Sequence, residues 1–174
     1  TTLDTIPGDV PYLTAPVQPD LNLADSPEAK IGLVWAGRPS HKNDRNRSLP
    51  FETLVGLLNM SETNFYSLQI GERATDIEGD PRIVDLSPQL VDFAATAAVI
   101  NQLDLVISVD TAVAHLAGAL AKTCCVLLPY APDWRWLLDR KDSPWYPSLT
   151  LYRQSAPGDW KSVIDCVIED RLSA

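Results

Sequence analysis

Leu105 to Leu120 reads LVISVDTAVAHLAGAL, an apolar, β-branched run that passes directly into a helical pattern. Leu105 to Val109 has the length and composition of a strand buried on both faces of a parallel sheet. Asp110 stands where a helix N-cap is expected, and Ala112, Leu116, Ala119 and Leu120 then recur at helical spacing. A strand that feeds a helix at its carboxyl end leaves the first-turn amides without acceptors and presents a positive dipole end. Open α/β sheets bind anions at such places. The expectation is that Thr111, Ala112 and Val113 offer their amides to a diphosphate. Taken alone, the stretch also fits an ordinary strand-helix joint whose amides meet only Asp110 and water.

The rest of the chain repeats the alternation. Ile31 to Trp35 is a buried strand that ends at Ala36 and Gly37 and opens a polar loop, Arg38 to Ser48. Pro50 starts a helix to about Asn59, followed by strands at Phe65 to Gln69 and Arg82 to Leu86. Val91 to Asn101 is an amphipathic helix, Thr123 to Leu128 a buried strand, and Leu149 to Tyr152 a last strand. Asp159 caps a terminal helix running to about Arg171. Strands alternating with helices at this spacing give an α/β fold, a doubly wound, Rossmann-like parallel sheet of five or six strands. Residues 1–29 hold five prolines and no sustained periodicity, which reads as a linker or strap, leaving residues 30–174 as the domain. A chain of 174 residues has room for one such domain. It starts at Thr1, and with a strap in front it is expected to be a piece of a longer protein.

Composition narrows the function classes. With 45% hydrophobic and 21% charged residues the chain has the balance of a globular protein, and no apolar run reaches the ~18 residues of a spanning helix. The amino terminus lacks the pattern of a signal peptide, so a cytoplasmic location is expected. A net charge of −9 argues against a nucleic-acid surface. Cys124, Cys125 and Cys166 have no metal-ligand spacing and read as reduced thiols. With two histidines, His41 and His115, no metal site is expected. There is no G-x-G-x-x-G, no G-x-x-x-x-G-K-[ST], no G-x-S-x-G and no D-x-D, so no cofactor is implied.

Local charge runs against the global balance. The loop RPSHKNDRNR carries Arg38, Lys42, Arg45 and Arg47 against Asp44, which is +4 − 1 = +3 within ten residues. In a parallel sheet this loop lies at the same carboxyl edge as the Asp110 turn, so the two together make a phosphate clamp. A solvated basic loop paired with surface carboxylates is the alternative. His115 falls four residues after Thr111, on the same helix face one turn in, either facing a phosphate or sugar oxygen or satisfied in the core. Gln69, Gly71 and Glu72 sit at the end of the second strand, where a carboxylate accepts from ribose hydroxyls or simply faces solvent. The segment YAPDWRWLLDRKDSPWYP is dense in aromatics, which either wall a pocket or cover the sheet edge against a partner domain.

In order along the chain, IGLVWAG, HKNDRNRSLP, SLQIG, LDLVISVDTAVAHLAGAL and LLPYAPDWRW resemble the carboxyl-terminal half of bacterial glycosyltransferases of the heptosyltransferase class. The likeness is strongest to the branch found behind tetratricopeptide repeats, related to O-linked N-acetylglucosamine (O-GlcNAc) transferases, and it spans about Ile31 to Leu172. The resemblance implies one half of a two-domain GT-B enzyme that grips a nucleoside-diphosphate sugar while an amino-terminal half holds the acceptor. It implies that the Asp110, Thr111 and Ala112 turn binds the diphosphate and that Arg47 neutralises the leaving group. It also places Val91 near the nucleobase; Gly37, Lys42, Gln69, Glu72 and His115 are the further candidates for donor contact. The reaction implied is metal-independent and inverting, with the base in the other half, so this half alone is expected to bind donor without turnover. A non-catalytic binding or scaffold module attached to a repeat domain is the competing reading, since Ala112 stands where many heptosyltransferases have glycine. A dehydrogenase-like domain is disfavoured by the missing glycine fingerprint.

Overall fold

The computed structural model describes residues 5, 8–18 and 21–172; the remaining positions of the expected strap and Ser173 and Ala174 of the expected domain lie outside them. Six strands form one parallel sheet: β1 (Ala29–Val34), β2 (Thr63–Ser67), β3 (Ile83–Asp85), β4 (Leu105–Val109), β5 (Cys124–Leu128) and β6 (Leu149–Arg153). Their order is β3-β2-β1-β4-β5-β6, so the chain grows outward from β1 in one direction and then returns to start again at β4. Ile31 pairs with Leu105 and Val34 with Ser108 across that junction. Crevices for ligands open at the carboxyl ends of such a switch point.

The alternation of side chains across each strand builds two cores. Ile31, Leu33, Phe65, Leu105, Ile107, Val109, Cys125 and Leu127 face α5 (Trp160–Arg171) and the turn at Phe51–Leu54. Val34, Tyr66, Leu68, Val106, Cys124, Val126 and Leu128 face α3 (Phe93–Gln102) and α4 (Ala112–Ala119). Both faces of β4 and β5 are fully buried, which explains their continuous apolar runs.

Three local expectations are corrected. The helix expected from Pro50 to Asn59 is a 3₁₀ turn at Phe51–Leu54 followed by a single α-turn, α2 (Val55–Leu58). Thr53, Val55 and Gly56 are poor helix formers in its middle. The polar loop contains one helical turn, α1 (Asp44–Arg47), with its acid first and its bases last, as the helix dipole favours. The helix expected from Val91 begins at Phe93 because Asp92 caps it, accepting from the Ala95 amide at 2.7 Å.

The described part of the proline-rich segment lies on the domain. The Tyr12 and Leu13 amides both donate to the Ala119 carbonyl, at 3.1 and 3.2 Å, at the end of α4. The Gln102 amide side chain donates to the Leu21 carbonyl and accepts from the Leu23 amide, while Leu21 itself enters the second core. Ala29 already belongs to β1. Among the described residues no helix is long and apolar enough to cross a membrane.

Candidate functional site

The turn between β4 and α4 departs from expectation in a way that bears on binding. Asp110 is not the N-cap; Thr111 occupies that position with extended backbone, φ −137° and ψ 172°, and its side chain makes no cap bond. Neighbouring contacts engage both residues. The Thr111 hydroxyl pairs with the Ser108 hydroxyl at 3.1 Å, and the Asp110 carbonyl accepts from Arg47 Nη1 at 2.7 Å. The first-turn amides therefore have neither an intrahelical acceptor nor a side-chain cap. They open on two cavities.

Arg47 reaches that turn through a relay built by the basic loop. Its Nε donates to Asp44 Oδ1 at 3.3 Å, the Ser48 hydroxyl donates to the same oxygen at 3.0 Å, and the Gly37 amide donates to the Ser48 hydroxyl at 2.9 Å. The guanidinium lies so close over Gly37 that a Cβ there would overlap it. Its side chain is 13% exposed, so the charge is held in partly desolvated surroundings where it acts more strongly than in water. Arg47, Thr111 and Ala112 line both cavities.

One cavity, of about 500 Å³, has Gly37, Arg47, Gln69, Glu72, Phe93, Thr96 and Ala112 among its walls. Gln69 is 2% exposed, and its Oε1 accepts from the Trp35 and Ala36 amides at 3.2 and 2.9 Å. Its amide is therefore engaged in fixing the end of β1, which shapes the wall. Glu72 is exposed at the mouth. The second cavity, of about 570 Å³, is bounded by Arg47, Asp110, His115, Asp133 and Trp134. His115 Nε2 lies 4.0 Å from Asp110 Oδ1 and its Nδ1 3.3 Å from the Tyr146 hydroxyl. Burial lowers its pKa below the usual 6.5, against the pull of Asp110, so the ring is neutral at pH 7.

Of Gly37, Lys42, Arg47, Gln69, Glu72, Val91, Asp110, Thr111, Ala112 and His115, eight line one or both of these cavities. Lys42 and Val91 do not: both are exposed and neither lines a cavity. Asp44 and Ser48 escaped sequence reasoning, which counted Asp44 only as a charge offsetting the loop. Their spacing of four within one helical turn is the signal that marks them as a bonded pair. Phe93 and Thr96, both on α3, also line the first cavity.

A parallel sheet whose switch point opens on two cavities defines a Rossmann-like α/β domain. Its architecture is similar to that of a solved structure, the E. coli heptosyltransferase WaaC with ADP, with a TM-score of 0.58 and 20% sequence identity. The likeness covers 85% of this chain and 45% of that one, so the chain spans less than half the length of that enzyme. At this identity the likeness is one of fold, a Rossmann-like α/β domain that matches part of a GT-B heptosyltransferase structure. Residues 67–131 match the model of glycosyltransferase family 9 (heptosyltransferase). That segment runs from the end of β2 through α3, β4, the Asp110 turn and α4 to just past β5, and it leaves out the loop that carries Arg47. No curated protein matches the chain.

Proposed function

We propose that this chain is the donor-binding half of a glycosyltransferase that uses a nucleoside-diphosphate sugar. The observation that carries the reading is the Arg47 guanidinium fixed 2.7 Å from the Asp110 carbonyl beside the uncapped first turn of α4. Two kinds of donor, main-chain amides and a guanidinium, converge on one corner between two cavities, which suits a diphosphate. The nucleoside lies in the cavity walled by Gln69, Glu72 and Phe93, and the sugar lies on the side of His115. When the bond between the anomeric carbon and the diphosphate oxygen breaks, the departing negative charge is met by groups already in place. That is electrostatic stabilisation without reorganisation, and it assigns to Arg47 and the amides the role a metal ion plays elsewhere.

In an inverting reaction the acceptor hydroxyl attacks from the face opposite the diphosphate, and its proton goes to a base. We place that base and the acceptor site in an amino-terminal half outside these 174 residues, since this chain spans 45% of the heptosyltransferase it is similar to. A tetratricopeptide-repeat region ahead of both halves and a cytoplasmic location belong to the same reading. On it the chain alone binds donor and does not turn it over.

Calorimetry with ADP, GDP and UDP tests the reading. At least one nucleotide is expected to bind, and Arg47→Ala is expected to weaken it by about 1.5–3 kcal/mol, the range for a charged hydrogen bond. Absence of binding to all three at millimolar concentration would overturn it. Binding that persists, with no transfer once an acceptor half is supplied, would assign the chain instead to a non-catalytic nucleotide-sugar-binding or scaffold module.

A further inference from the structure

We propose that the cleft between the strap and the 130–147 loop is a separate saccharide-binding subsite that takes a neutral pyranose ring. Its walls are Tyr12, His115, Trp134, Arg135, Trp145 and Tyr146, around a volume of about 300 Å³. Aromatic surface there stands open to water: Trp134 is 67% and Tyr12 60% exposed. Such surface is costly to leave uncovered, and here it is also held in place. Trp145 Nε1 donates to the Arg135 carbonyl at 2.8 Å, and the Tyr12 and Tyr146 hydroxyls pair at 3.3 Å. Trp134 and Trp145 meet edge to face at 86°, whereas Tyr12 and Tyr146 lie stacked at 29°, so flat faces bound the cleft from several directions.

Charge selects the occupant. Arg135 lies 5.0 Å over one face of the Trp134 ring, so on that face the position of an incoming cation is filled by the protein's own cation. Arg135 is itself paired with Asp133 at 2.7 Å, which leaves little net attraction for an anion. What remains is a lining of electron-rich ring faces edged by two phenol hydroxyls, an imidazole and guanidinium N–H groups. A pyranose matches it, because one face of the sugar ring presents C–H groups to aromatic faces while its rim presents hydroxyls that both donate and accept. Tyr12 comes from the segment before β1, so the subsite is complete only with the strap in place. The cleft shares His115, Trp134 and Arg135 with the cavity at the Asp110 turn, so a sugar held there neighbours the diphosphate corner. Read with the proposed function, it adds a saccharide contact on this half, beside the acceptor site placed in the amino-terminal half. The binding itself does not depend on that reading.

The test is NMR of the ¹⁵N-labelled 174-residue chain without nucleotide, titrated separately with cellobiose, lactose, maltose and chitobiose. At least one disaccharide is expected to shift the Trp134 and Trp145 indole signals saturably while the buried Trp35 signal stays still. Trp134→Ala, at an exposed position that should not disturb folding, is expected to weaken binding tenfold or more, and Tyr12→Ala to weaken it severalfold. No saturable shift with any of the four sugars, a shift indifferent to Trp134→Ala, or stronger binding of choline or glucuronate at the same signals would overturn the proposal. A parallel ADP titration reports the diphosphate corner alone, so failure there leaves this result standing, and the reverse.

Discussion

Arg47 and Gly37 form a unit in which one residue's lack of a side chain sets the other's position. A methyl group at residue 37 would overlap the guanidinium, which sits at the far end of a flexible chain and can move away. Gly37→Ala should therefore leave the thermal midpoint nearly unchanged yet weaken nucleotide binding about tenfold. That is the cost of one lost charged hydrogen bond, measured by calorimetry. His115 supplies a pH dependence. Because burial holds its pKa below 6.5, the unfolded chain takes up a proton before the folded one as pH falls. This contribution to stability should be full above pH 6.5 and decline as pH drops from 6.5 toward the folded pKa. His115→Gln should flatten that slope in a thermal scan between pH 7.5 and 5.5. Neither Gly37's partner nor the histidine's neutral state follows from spacing; both depend on which side chains surround them.

The element that positions the site is α4, and its small residues have two separate uses. Ala114 and Ala117 are fully buried against the sheet, whereas Gly118 faces the Tyr146 ring so closely that a Cβ would overlap it. Unlike Arg47, Tyr146 cannot swing aside, because its ring packs edge-on against His115 at 5.7 Å and its hydroxyl pairs with that of Tyr12. Gly118→Ala is accordingly expected to cost about 1–2 kcal/mol, overpacking outweighing the better helix propensity of alanine, as read by denaturant unfolding. Of this element the sequence showed the periodicity and the place of its amino-terminal end at the carboxyl edge of the sheet. It did not show that Thr111 takes the cap position, nor that the Asp110 carbonyl meets Arg47 from 63 residues upstream. The same holds for the short α1 turn, where the Ser48 hydroxyl and Arg47 Nε donate to Asp44 and brace the basic loop.

The whole molecule is two cores on the faces of one sheet, and its cysteines report on both. Cys124 and Cys125 point to opposite faces of β5 and are fully buried, with burial pushing the Cys125 thiol up to about 11 and that of Cys124 well above its usual value. Cys166 is exposed on α5. A thiol titration of the native chain is expected to find Cys166 alone reactive, the other two appearing only at the rate of global unfolding. Early reaction of Cys124 or Cys125 would mean that the sheet opens locally at β5. By itself the sequence determined the alternation of strand and helix, the parallel sheet and the carboxyl edge that gathers the loops after its strands. Hydrophobic period, caps and breakers are local properties, and parallel topology follows from them. Only the tertiary structure decided which side chains complete that edge. It joined Gly37, Asp44, Ser48 and Arg47 to the Asp110 carbonyl, left Lys42 and Val91 outside, and brought Tyr12 of the strap to the aromatic loop 134 residues away. Contacts between distant segments are set by the packing of whole elements, and no local pattern in the chain encodes them.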